Sequence, residues 1–90
     1  MNIIIYTGRV CPFSQQVVDD MKSQNVDFIH KKVDEDPEAL LEMYKLTKKI
    51  ATPVITIEKD DQKYTLLGYT QENKKTLQKI VELAKQSKQL

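Results

Sequence analysis

A single cysteine stands in ninety residues, and that scarcity excludes an internal disulfide framework. A chain held together without disulfides suits a reducing compartment, so a cytoplasmic location is expected. Two glycines leave no glycine-rich loop to cradle a phosphate, and no Ser-His-Asp spacing points to a hydrolase. His30, the one histidine, lies among lysines without a second ligand pattern, so no metal site is expected. The longest apolar runs fall far short of a bilayer's thickness, which predicts no membrane association. Met1-Asn2 leads directly into an apolar run, leaving no room for a signal peptide. Neither sign of charge dominates. Fourteen basic and thirteen acidic side chains give a formal net charge of +1, which offers no argument for nucleic acid.

What the chain does contain is enough for one small domain spanning residues 1–90, expected to be monomeric. Hydrophobic residues make up 40% and charged residues 30%, a globular composition rather than a disordered one. Asp34, Glu35, Asp36, Glu38 and Glu42 crowd one segment, and Lys74, Lys75, Lys79, Lys85 and Lys88 the end. These read first as solvated helix faces. A docking surface for an acidic protein is the sharper alternative.

Ile3-Ile4-Ile5-Tyr6 is a continuous, β-branched apolar run, as expected of a central strand. Thr7-Gly8-Arg9-Val10 breaks it as a loop. From Pro12, suited to a first helical position, Phe13, Val17 and Met21 recur every four residues with Val18 beside them. Ser23-Gln24-Asn25 ends that helix. Residues 26–33 read as a second strand centred on Phe28 and Ile29. Asp36 and Pro37 open a second helix as N-cap and first residue. Leu40, Leu41 and Tyr44, with Met43 or Ile50, are its expected buried side. Residues 53–57 form a third strand, Asp60-Asp61 a turn, and residues 63–67 a hairpin partner. Thr70 is the expected N-cap of a last helix reaching about residue 86, buried through Leu77, Ile80, Val81 and Ala84. The order is β-α-β-α-β-β-α. A right-handed parallel crossover followed by a hairpin gives a mixed four-stranded α/β sheet with helices on both faces. That order, with a cysteine between the first strand and first helix, is the layout of the thioredoxin-like fold.

Cys11 is therefore placed where a helix offers unsatisfied N–H groups and the positive end of its dipole. Such a site lowers a thiol pKa from ~8.5 into the range ~3.5–7.5, and the thiolate is the nucleophile. Pro12 fixes the turn and leaves the amides of Phe13 and Ser14 to face the sulfur. The Ser14 hydroxyl is a further donor, and Arg9 the nearest cation in sequence. A lone cysteine is otherwise a small buried hydrophobe. Thr52-Pro53 is the second feature. Proline simply opens a strand here, or, as a cis bond, turns the Thr52 backbone outward to pair with an extended peptide or thiol tripeptide. Gly68-Tyr69-Thr70 is the third. It is either a turn with positive φ or a close approach for a ligand whose carboxylate meets the following helix N-terminus. Tyr64 and Tyr69 read as edge or surface packing rather than a stacking platform.

These residues resemble the glutaredoxins. Cys11-Pro12-Phe13-Ser14 is similar to the family's Cys-Pro-Tyr-Cys site with serine for the second cysteine. Thr52-Pro53-Val54 is similar to its cis-proline segment, and Gly68-Tyr69 to the Gly-Gly or Gly-Phe turn before its last helix. The resemblance implies a thiol-disulfide oxidoreductase with no bound cofactor. By it, Cys11 attacks mixed disulfides of glutathione and disulfide-containing proteins, with glutathione as co-substrate. Arg9, Pro12, Phe13, Thr52, Pro53, Gly68, Tyr69 and Thr70 are then the binding site, and Cys11 and Ser14 the catalytic pair. A monothiol cycle does not need a second cysteine, so Ser14 is compatible with it.

Two departures shape the alternatives. The lysine usual before the cysteine is absent, with Gly8 and Arg9 in that stretch. After Gly68, Tyr69-Thr70-Gln71-Glu72 keeps one acid of the usual pair. Members lacking that element tend to be served by thioredoxin reductase, and some donate electrons to ribonucleotide reductase. A dithiol member whose cysteine at position 14 was replaced is one alternative. Another is an iron–sulfur carrier, against which Pro12 stands where such members have glycine. The last is a redox-silent binding module, which would keep a Cys11 pKa near ~8.5.

Overall fold

Successive residues of the first strand feed opposite faces of a sheet, as the strand period requires. The structure is a computed structural model that describes residues 2–9 and 12–88. Its elements are β1 (Asn2–Thr7), α1 (Pro12–Ser23), β2 (Ile29–Lys32), α2 (Pro37–Thr47), β3 (Val54–Lys59), β4 (Gln62–Leu67) and α3 (Gln71–Lys88). Ile3 and Ile5 join Val17, Val18 and Met21 of α1, Ile55 and Ile57 of β3, and Leu77 and Val81 of α3 in one core. Tyr6 instead joins Val33, Ala39, Met43 and Val54 in a second core beneath α2. Helices thus cover both faces, two on one side and one on the other.

The sheet order is β2-β1-β3-β4. β1 and β2 are parallel, with Ile5 opposite His30. β3 is antiparallel to β1, with Ile55 opposite Ile5, and β4 is antiparallel to β3. The expected α/β thioredoxin-like layout, β-α-β-α-β-β-α, is the one observed. Asp60 and Asp61 turn the hairpin with φ of 52° and 66°. Two central residues at positive φ match the twist of the flanking strands, and Asp tolerates that conformation better than most side chains.

Four packing expectations need correction. β2 spans four residues rather than eight, because the stretch before it closes α1. The Val26 amide bonds the Met21 carbonyl at 3.0 Å, around Asn25 at φ 57°, a helix stop with a left-handed residue. Ile29, the expected strand centre, is 53% exposed on this edge strand. In α1 the buried stripe is Ser14, Val17, Val18 and Met21. Phe13 lies one step off that stripe and is 57% exposed. In α2 the buried residues are Ala39 and Met43, with Leu40 packed beside them. Leu41, Tyr44 and Ile50 are exposed. A helix alone on its face buries only the stripe that meets the sheet.

The caps follow the sequence. Asp36 holds β-region angles and its Oδ1 accepts from the amides of Glu38 at 3.0 Å and Ala39 at 3.4 Å, as an N-cap should. Lys48 ends α2 in the left-handed region. In α3, Leu77 and Val81 are buried and Ile80 packs against the same core. The expected Ala84 contact lies outside the described side chains.

Candidate active site

Three segments meet beside the start of α1. The first is the α1 turn itself, which opens at Pro12 with no acid in its first turn. The N–H groups there have no helical partner, and nothing negative offsets the dipole's positive end. Cys11 immediately precedes Pro12 in the chain and, with Val10, lies outside the described residues.

The second segment is Thr52-Pro53, whose peptide bond is cis. Pro53 is fully buried. Gly8 belongs to the same contact. A Cβ placed on it would come within 2.9 Å of Thr52 Oγ1, so a side chain at position 8 would require Thr52 or the loop after β1 to shift.

The third is the turn between β4 and α3. Gly68 has φ 82°, the conformation that favours glycine. Its amide donates to the Pro53 carbonyl at 2.8 Å. The Asn73 side-chain amide reaches back to the carbonyls of Leu67 and Gly68, each at 2.9 Å. Thr70 caps α3, its Oγ1 accepting from the Asn73 amide at 3.1 Å and its carbonyl from the Lys74 amide at 2.8 Å.

Together these segments enclose a groove of about 390 Å³ lined by Phe13, Gln16, Thr52, Pro53, Gly68, Tyr69, Thr70, Gln71 and Lys74. Six expected binding residues, Phe13, Thr52, Pro53, Gly68, Tyr69 and Thr70, are therefore brought to one site. Phe13, off the core stripe, is free to serve as an apolar wall. Tyr69 departs from the expectation of edge or surface packing. It is 6% exposed, and its hydroxyl donates to Asp20 Oδ2 at 2.6 Å. Burial, with Asp20 as acceptor and as a nearby negative charge, pushes its pKa far above the ordinary tyrosine value.

The other candidates lie elsewhere. Arg9 is paired with Asp34, Nε to Oδ2 3.4 Å, and is largely exposed. Pro12 lines a shallow surface with Phe13, Asp19 and Asp20. Ser14 is 1% exposed, and its Oγ has no hydrogen-bond partner among the described residues. It lines a separate polar cavity of about 200 Å³ with Thr7, Arg9, His30, Lys32 and Asp34. There Thr7 Oγ1 and His30 Nε2 share a hydrogen bond of 2.7 Å. Partial desolvation, then the Lys32 and Lys22 charges, hold the His30 pKa below its usual value, although the residue as a whole is exposed. Among the described residues no group of three His, Cys, Asp or Glu side chains is arranged to hold a metal. Nor is any helix among them long and apolar enough to cross a membrane.

Sequence reasoning missed Asp20 and Asn73. Asp20 sat among the polar positions of an amphipathic helix, and its partner lies 49 residues away. Asn73 carried a readable signal, a polar amide three residues past the expected cap Thr70.

Comparison with known proteins identifies the family and the fold. The glutaredoxin family model matches residues 3–61. A glutaredoxin-like 8.6 kDa protein from the rubredoxin operon of Clostridium pasteurianum is 31% identical over 80 residues, covering 89% of this chain and 97% of its own. The glutaredoxin-like NrdH-redoxin of Escherichia coli, with a thioredoxin-like activity profile, is 28% identical over 78% of this chain and 86% of its own, at a TM-score of 0.60. The glutaredoxin of Archaeoglobus fulgidus shares the fold at a TM-score of 0.63, with 24% identity and 83% of each chain covered. The chain belongs to the glutaredoxin family of thioredoxin-fold redox proteins.

Proposed function

We propose that this chain is a monothiol oxidoreductase whose Cys11 thiolate exchanges with mixed disulfides of glutathione and protein thiols. The observation that carries the reading is the groove lined by Phe13, Thr52, Pro53 and Gly68 at the N-terminal end of α1, one residue past Cys11 in the chain. It offers an apolar wall and backbone edges to an extended peptide, next to a helix end that favours a thiolate.

In the first step the Cys11 thiolate attacks the glutathione sulfur of a mixed disulfide. A new S–S bond forms between Cys11 and glutathione, the old one breaks, and the protein thiolate leaves with the electron pair and takes a proton from solvent. In the second, a glutathione thiolate attacks the glutathione sulfur held on Cys11. Oxidised glutathione leaves and the Cys11 thiolate is restored. Ser14 is no nucleophile in this cycle, so resolution comes from outside the chain. The co-substrate is glutathione, and no cofactor is bound.

A second reading is favoured by the 68–72 turn. Only Glu72 supplies an acid there, and the E. coli NrdH-redoxin is similar over most of its length. On that reading Cys11 attacks a protein disulfide, keeping one half as a mixed disulfide while the other leaves as a thiolate. One thiolate of a thioredoxin reductase dithiol then displaces the bound protein thiolate from Cys11, and its second thiol closes the reductase disulfide and frees Cys11, with ribonucleotide reductase as the acceptor class.

Incubation with oxidised glutathione followed by intact-mass measurement tests the first reading. One adduct is expected, absent in Cys11→Ala. No adduct between pH 6 and 9, with turnover of protein disulfides by thioredoxin reductase, favours the second.

A further inference from the structure

The groove's walls come from segments far apart in the chain, and one side chain ties two of them together. Tyr69 belongs to the turn before α3 and is one of the residues lining the groove, with its side chain buried in the core. Its hydroxyl reaches α1, donating to Asp20 Oδ2 at 2.6 Å. A phenol on a carboxylate at this distance is a charge-assisted bond, and the mostly buried ring keeps it from easy exchange with water. Among the described residues no other side-chain hydrogen bond joins α1 to residues 68–70. Lys74 sits 3.9 Å from the same carboxylate oxygen, a longer and half-exposed contact. The neighbouring Gly68 amide holds the Pro53 carbonyl at 2.8 Å. Displacing Tyr69 from α1 therefore moves Gly68, and with it the wall that Pro53 belongs to.

We propose that the Tyr69–Asp20 pair is a positioning latch, which sets the width of the substrate groove by fixing the Gly68–Thr70 turn against α1. The role proposed for the latch is in seating the substrate and not in the exchange itself. It determines how well a peptide-like disulfide substrate is seated, and leaves the reactivity of the thiol alone. The inference rests on the proposed exchange reaction for its kinetic consequence, but not for its structural one.

Steady-state exchange with a glutathionylated peptide is the kinetic test. Tyr69→Phe keeps the ring and loses the donor, so KM is expected to rise about tenfold, the scale of one lost hydrogen bond to a charged group, with kcat unchanged. Asp20→Ala should give the same KM, and the double variant Tyr69→Phe/Asp20→Ala no more than either alone. Asp20→Asn keeps an oxygen acceptor and should stay close to the parent protein. The pH profile of Cys11 alkylation by iodoacetamide should be the same in every variant. A parental KM in Tyr69→Phe, additive single effects, or an alkylation profile that shifts with the latch overturns the proposal. Should the parent chain turn over no glutathionylated peptide, the proposed reaction fails, and amide hydrogen exchange at Gly68 decides the latch separately. Faster exchange in Tyr69→Phe with parental exchange in Asp20→Asn supports it; unchanged exchange in Tyr69→Phe overturns it.

Discussion

The Gly68 amide donates to the Pro53 carbonyl at 2.8 Å, so the turn entering α3 and the loop entering β3 are one unit of structure. Gly68 holds φ 82° to make that bond, and a Cβ there would meet nothing within 4 Å. Substitution is thus penalised by backbone conformation and not by a clash. Gly68→Ala is expected to cost about 1–2 kcal/mol. For a chain of this size that is a fall of roughly 4–8 °C in Tm for each kcal/mol. A thermal melt checks the loss, and a raised KM for a glutathionylated peptide checks the groove.

Ser14 occupies the core stripe of α1 with a hydroxyl that finds no partner among the described residues. In Ser14→Ala, which removes that hydroxyl, Cys11 is expected still to accept one glutathione. Ser14→Cys is expected to convert the oxidised product from a glutathione adduct to an internal disulfide. Intact mass after exposure to oxidised glutathione separates the two.

The backbone plan was legible because each of its signals is local. Ile3-Ile4-Ile5 could only be a covered strand, Asp36-Pro37 a helix start, and Asp60-Asp61 a hairpin turn. The Cys-Pro-aromatic motif lies within residues 3–61 that match the family, whereas Gly68-Tyr69-Thr70 lies beyond them; turn chemistry singled it out, and its likeness to the glutaredoxin turn before the last helix supported it. What escaped depends on distant partners. Tyr69 reads as a surface aromatic until Asp20, 49 residues earlier, is seen to hold its hydroxyl. Phe13, Val17 and Met21 repeat every four residues, slightly longer than a helical turn, so the pattern drifts. The stripe that packs begins instead at Ser14, a polar residue that no hydrophobic pattern would select. Arg9, nearest cation to Cys11 in sequence, is drawn to Asp34.

The corrected face of α2 leads to a paired stability test. Met43 is fully buried between α2 and the sheet, while Leu41 is 58% exposed. Met43→Ala is expected to cost about 2–5 kcal/mol through lost burial and the cavity it leaves. Leu41→Ala is expected to stay within roughly 0.5 kcal/mol of the parent. Chemical denaturation of the two variants measures the difference. A large loss in Leu41→Ala would restore the face expected from periodicity.

His30 gives the fold a pH dependence of definite sign. Its pKa is held below the ordinary histidine value by partial desolvation first and then by the Lys32 and Lys22 charges. The unfolded chain therefore binds a proton at a higher pH than the folded one. Where the unfolded imidazole is charged and the folded one is not, unfolding takes up protons, and stability rises with pH. The contribution is full above the unfolded pKa of ~6.5 and is lost as pH falls from there toward the lower folded value. Thr7 Oγ1, 2.7 Å from the ring Nε2, ties that protonation to the wall of the cavity shared with Ser14. Replacing His30 by Gln removes the titrating group while keeping a side chain able to bond Thr7. Urea midpoints measured from pH 7.5 down to 5.5 should fall further for the parent protein than for His30→Gln. Parallel curves for the two would show that the imidazole titrates alike in the folded and unfolded chain.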